Sequence, residues 1–372
     1  MIVGLDNGHP TRWQAKGALI LRPPDRNAPL MLSSGHATVE TLAGAPAGAS
    51  RHATALRWIF PGAAVAGLVI ALTGAEPLLL SGPGLAGLLA LIVLLGVPHG
   101  AMDIVAAWRR GLLATPWRAL AFHAAYIGVA LLVYLLWHLS PLAGLALFVV
   151  CSAAHFRNDW RSGDVQPSAA WIAGIGVVCW PVLFHPTAFT EACAMMGVHN
   201  APPLGSVLWL LGGAALLPAL VWVLMAPRAA RVWRLELACM MLLAAWTHPL
   251  LFFAIYFCFL HGARDLQAQI GRASARLAPS ISLGLALLYT LISAAAVIGA
   301  SALEPAATAL TDDGELMRWV FVGLACLTVP HMLMHGSIGR RFDRVFDSRF
   351  FGRSPRRPGE KAVEKAVGSG FV

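Results

Sequence analysis

Long apolar runs, separated by short polar clusters, fill residues 57 to 338. Candidate spans are 57–75, 84–107, 117–137, 141–157, 168–185, 204–226, 232–247, 249–268, 279–302 and 316–338. Most approach the ~20 apolar residues that a helix needs to cross a bilayer. The runs are continuous and do not alternate in steps of two, which sets aside a β-barrel. The stretch 232–268 is too long for one crossing at about 1.5 Å per residue. Thr247-His248-Pro249 divides it, because proline lacks an amide donor and ends or kinks a helix. The pattern predicts an all-α, polytopic transmembrane bundle of about ten spans over residues 57–338. Residues 1–56 are polar and rich in Gly, Ala and Pro, and predict a mobile arm. Residues 339–372 form a basic tail.

Charge orients this pattern. Only 12% of the 372 residues are charged, against about a quarter in a soluble domain. All but Arg318 of the 27 Lys and Arg residues fall in the arm, the tail and the even-numbered connections. The other side carries Glu76, Glu191, Glu304, Asp312, Asp313 and Glu315. Basic residues mark the cytoplasmic side, so both termini are predicted to be cytoplasmic. This bias explains the net charge of +9 without a nucleic-acid partner. Cys151, Cys179, Cys239, Cys258 and Cys326 lie inside spans, with no zinc or disulfide spacing, and read as small packing residues. Trp58, Trp108, Trp117, Trp137 and Trp180 read as boundary anchors.

The histidines add chemistry. His99 in GVPHGAMD, His155 in AHFRND, His261 in FLHGARD, and His331 with His335 in VPHMLMH all lie near the cytoplasmic ends of spans. His123 falls at the same depth. A single histidine near a helix end is ordinarily interfacial, but here four helices agree in depth. His99 and Asp103, His155 and Asp159, and His261 and Asp265 are each four residues apart. That spacing puts both side chains on one helix face. A carboxylate can then hold the second imidazole nitrogen and fix the tautomer of a metal ligand. His331 and His335 share the spacing, as two ligands from one helix can. Ionisable groups within spans are costly and point to function, so a shared metal site is predicted. Imidazole suits iron, zinc, copper or nickel, which leaves the metal open.

Taken together, GVPHGAMD, SAAHF, YFCFLHGARD and LTVPHM resemble the Brp/Blh family of membrane β-carotene dioxygenases, over residues 80–345. The resemblance implies an Fe2+-dependent enzyme that cleaves the central double bond of β-carotene with O2 to two retinals. It implies a multi-pass protein of the inner (plasma) membrane, in some cases supplying a retinal-accepting microbial rhodopsin. The metal ligands it implies match His99, His155 and His261. The family's fourth ligand is a histidine at the position of Asp265. Either Asp265 itself binds, or His335 beside His331 supplies another imidazole. Asp103 and Asp159 would orient the ligands. Other readings remain: a membrane non-haem oxygenase acting on another carotenoid or lipid, an inactive carotenoid-binding relative, or a transporter with a His/Asp-lined proton or metal path. The HxxHH boxes of membrane desaturases are missing.

Overall fold

A computed structural model describes residues 47–161, 166–227, 230–274, 277–303 and 312–335, with side chains from Trp58 onward, Leu303 excepted. Residues 1–46 and the predicted tail lie outside the described residues. The described chain is all α-helical. α1 (Ala47–Leu72) begins inside the predicted arm. It is followed by α2 (Glu76–Leu79), α3 (Gly82–Leu91), a π-helical turn Ile92–Gly96, α4 (Pro98–Ala101) and α5 (Asp103–Arg109). Next come α6 (Pro116–Leu139), α7 (Pro141–Phe156), a 3-10 turn Arg157–Trp160, α8 (Pro167–Phe184), α9 (Pro186–Met195) and α10 (Pro202–Met225). α11 (Arg231–Trp246) and α12 (Pro249–Tyr256) precede a second π-helical turn, Phe257–Gly262. α13 (Ala263–Ala273), α14 (Pro279–Leu303) and α15 (Asp312–His335) complete the described chain.

Among the described residues, seven helical segments are long and apolar enough to cross a membrane: Gly82–Arg109, Pro116–Leu139, Pro167–Phe184, Pro202–Met225, Pro249–Ala273, Pro279–Ala302 and Asp312–His335. The chain is thus a polytopic helical bundle. The other three predicted spans are also helical but shorter. Trp58–Leu72 is the apolar part of α1, and α7 and α11 have 16 residues each. The break expected at Thr247-His248-Pro249 is present: α11 stops at Trp246 and α12 starts on Pro249.

Proline punctuates the bundle. α6, α7, α8, α9, α10, α12 and α14 all start on proline, whose fixed φ suits the first helical turn and whose missing N–H is not needed there. α9 runs out at Gly197, where φ is +80°, a conformation that glycine adopts without steric cost. Two acids at the predicted outer end cap helices, as favourable charge at a positive helix terminus. Asp313 accepts from Gly82 N at 2.9 Å, and Glu76 accepts from His248 N at 2.8 Å.

The spans differ in surroundings. α6, α10 and α14 are lined with exposed leucines and isoleucines, such as Leu132, Leu217 and Ile298, all about two-thirds exposed. Such a surface would promote association in water but suits lipid contact. The core lies among α1, α3, α7, α8, α12 and α15. Small residues set the closest approaches, as in membrane bundles generally. Gly212 of α10 rests on the Cys179 carbonyl of α8, and Gly174 of α8 on the end of α7 near Arg157. Trp58, Trp108 and Trp117 are exposed as boundary anchors should be. Trp137 and Trp180, by contrast, are core residues at 2% and 0% exposure, because neighbouring helices cover them.

Candidate metal centre

Four helical segments each bring one imidazole into a single cluster of rings. His99 sits on α4, His155 on the last turn of α7, His261 in the π-turn Phe257–Gly262, and His331 on α15. The His261 ring centroid lies 4.5 Å from that of His99 and 4.7 Å from that of His155. The His331 centroid lies 5.4 Å and 4.9 Å from the same two rings. His99, His261 and His331 are buried and His155 is partly so.

Both π-turns belong to this site. Ile92–Gly96 and Phe257–Gly262 pack against each other, with Gly96 against the Phe257 ring. Any Cβ on Gly96 would collide with that ring. Each π-turn holds one more residue than the α-helical ladder and rotates the chain beyond it. His99 is placed just after the first and His261 within the second.

Outer partners fix the tautomers. Nδ1 of His261 faces Asp159 Oδ2 at 2.9 Å and Oδ1 at 3.1 Å. Nδ1 of His99 donates to the Gly96 carbonyl. Carboxylates and carbonyls only accept, so both rings carry a proton on Nδ1. When neutral, each therefore turns a lone pair inward at Nε2. Yet these Nε2 atoms are 3.1 Å apart, and His155 Nε2 is 3.0 Å from His261 Nε2. A protonated His261 would have one inward hydrogen and could serve only one of its two neighbours. A cation among the three nitrogens satisfies them all. Metal–nitrogen bonds of about 2.1 Å would set ligand nitrogens ~3.0 Å apart at right angles and ~3.4 Å apart in a tetrahedron. The observed separations match the shorter value, and the donor set fits a transition metal.

The carboxylates are shared differently from the expectation of pairing within each motif. Asp159 serves His261, not His155, and also accepts from Tyr256 Oη at 2.7 Å. Asp103 serves His331 Nδ1 at 3.0 Å and His335 Nε2 at 2.8 Å, and accepts from Tyr126 Oη at 3.0 Å. Asp265 accepts from Gln269 at 2.7 Å and lies 3.8 Å from Arg272. The reason is local: 3-10 turn Arg157–Trp160 and the break at Met102 between α4 and α5 remove the regular α-helical phase that the four-residue spacing assumed. Arg264 ties the region to α11, donating to the Asp159 carbonyl at 2.9 Å and to Glu236 at 2.7 Å. His123 stays outside the cluster, with Nδ1 on the Ala119 carbonyl at 2.7 Å and Nε2 3.1 Å from Tyr289 Oη.

A cavity of about 440 Å³ reaches the histidines. His99, His155 and His331 form part of its wall, with Phe148, Phe257 and Trp319. Between α6 and α14 its wall includes Ile127, Leu131 and Ile292, each more than half exposed on the apolar exterior. The cavity thus opens sideways, at a depth that lipid would occupy.

A family model described as Beta-carotene 15,15'-dioxygenase matches residues 90–337. The chain belongs to the beta-carotene 15,15'-dioxygenase family. The match includes His99, His155, His261 and His331, with Asp103, Asp159 and Asp265. A curated Beta-carotene 15,15'-dioxygenase from an uncultured marine bacterium is 27% identical over 256 residues, covering 66% of this chain and 90% of that protein. No solved structure matches the chain significantly. As a member of this family, the chain is a β-carotene dioxygenase-like enzyme.

Sequence reasoning overlooked the tyrosines. The chain has four, Tyr126, Tyr134, Tyr256 and Tyr289. Tyr126 and Tyr256 donate to Asp103 and Asp159, while Tyr126, Tyr134 and Tyr289 line the cavity. The signal was available: membrane tyrosines favour the interfaces, and all four of these lie inside predicted spans. Gln269, which donates to the His99 carbonyl at 2.9 Å, had no such signal.

Proposed function

We propose that this protein cleaves the central double bond of β-carotene with O2, giving two retinals, at an Fe2+ held by His99, His155 and His261. One observation carries the reading: the clustered imidazoles of His99 and His155 line an apolar cavity that opens on the bundle's apolar flank. A carotenoid is long, apolar and lipid-dissolved, so it can enter sideways without crossing water. Iron bound there would supply O2 activation.

The chain's own residues account for the rest. Phe148, Phe257 and Trp319 present apolar and aromatic surface to a polyene. Asp159 and the Gly96 carbonyl hold the His261 and His99 protons at Nδ1, keeping both Nε2 lone pairs directed inward. Tyr126 satisfies the second oxygen of Asp103, and Tyr256 donates to Asp159 Oδ2 beside His261. Burial keeps water from the reacting bond. The atoms balance without an added reductant, since each oxygen of O2 ends in one aldehyde. No protein nucleophile or base is needed.

The charge bias supports an inner-membrane protein with cytoplasmic termini, and the histidines at the cytoplasmic end. Retinal released there into the bilayer is available to a membrane acceptor such as a microbial rhodopsin. The test is expression in β-carotene-producing cells, with retinal measured by chromatography. The native chain should bleach the cells and yield retinal, whereas His99→Ala should leave them orange. Pigment retained by the native chain, with no retinal, refutes the reading.

A further inference from the structure

We propose that His331 supplies the fourth nitrogen ligand of this centre and that Asp265 remains outside the ligand set. The proposal rests on the metal-centre reading above but not on the identity of the substrate. The position that the family resemblance gives to a ligand, four residues after His261, holds a carboxylate in this chain. The structure offers an imidazole from another helix instead.

His331 has the same arrangement as His99 and His261. Its Nδ1 meets Asp103 Oδ1 at 3.0 Å, which places the proton there and leaves a lone pair on Nε2. That Nε2 is fully buried and has no hydrogen-bond partner. A buried polar atom left unsatisfied costs about 1–3 kcal/mol, so such atoms are rare without a reason. The His331 ring stands edge-on to His99 and His155, at 89° and 87°, much as His99 stands to His261 at 85°. It also lines the cavity wall with His99 and His155.

Asp265 is close but differently engaged. Two trios of ligand atoms, each within 4.8 Å of one another, share His99: His99, His155 and His261 form one, and His99, Asp265 and His331 the other, so hydrogen-bond engagement rather than proximity separates Asp265 from His331. Asp265 Oδ2 accepts from Gln269 at 2.7 Å, and Oδ1 faces Arg272 at 3.8 Å. Its side chain is 27% exposed, against 3% for His331. Gln269 also holds the His99 carbonyl at 2.9 Å. Asp265 thus braces the backbone beside His99, while the His331 imidazole, edge-on to the His99 and His155 rings, keeps an unpartnered Nε2. His335 is a poorer candidate, since its Nε2 is taken by Asp103 at 2.8 Å.

The test uses the full chain in lipid nanodiscs, stripped with a chelator and titrated with Co2+, reading visible absorption and metal content. His331→Gln should weaken Co2+ binding more than about 100-fold and alter the absorption band, beyond the 10–100-fold typical of an outer partner. Asp265→Asn should weaken it less than about 10-fold and leave the band unchanged. A loss in Asp265→Asn equal to or larger than that in His331→Gln overturns the proposal. So does an unaltered band in His331→Gln. Pulsed EPR of Cu2+ bound to the unsubstituted chain gives a readout free of folding effects. Four coordinated imidazoles support the assignment and three overturn it. Absence of retinal with these metal results intact would refute the proposed reaction alone.

Discussion

The two spans interrupted by a π-turn and the two unbroken spans that frame the cavity behave as two different materials. Gly82–Arg109 and Pro249–Ala273 each carry a π-turn, and half or more of their apolar windows is buried, 50% and 61%. Pro116–Leu139 and Pro279–Ala302 run without a break and are 6% and 17% buried. The former hold ligands; the latter face lipid and frame the cavity. A break in the hydrogen-bond ladder is tolerable where protein covers it. Regular helix is the safe choice where only acyl chains lie outside. Function has therefore been built where the bundle can afford irregular backbone.

Several substitutions test that division. The largest effect is expected for His261→Ala within the second π-turn, with metal content and retinal both falling below detection. Asp159→Asn comes next: the His261 tautomer loses its anionic partner, and metal affinity should fall about 10–100-fold, as read by metal titration. Gly96→Ala forces a methyl group into the Phe257 ring and should cost about 1–3 kcal/mol in thermal unfolding, relieved by a companion Phe257→Leu change. The comparison would be broken by an equal loss from Leu132→Ala on lipid-facing α6. That change should lie within about 0.5 kcal/mol of the parent and leave retinal output unaltered.

The spans were readable because hydropathy and proline placement respond to burial and to missing donors. Spans 84–107 and 204–226 correspond to Gly82–Arg109 and Pro202–Met225, and the division at Pro249 is where it was expected. The meeting of His99, His155 and His261 was readable from common depth, because charge bias supplied the vertical coordinate. The outer partners were not. A helical wheel drawn through 92–96 or 257–262 assumes a constant turn, and a π-turn has no hydropathy signature. Nor do the break at Met102 and the 3-10 turn after α7, which is why His99 was assigned Asp103 but finds Gly96, and why Asp159 crosses to His261. The short outer helices α2 and α9 were invisible for a simpler reason: neither is long enough to produce a span.

The side opening between α6 and α14 has a kinetic consequence. An enzyme fed through its flank responds to how crowded its substrate is among lipids in the plane of the membrane. Total amount per volume of suspension does not set its rate. Adding inert lipid at fixed carotenoid should slow turnover by surface dilution, whereas concentrating the whole suspension should leave the rate per enzyme unchanged.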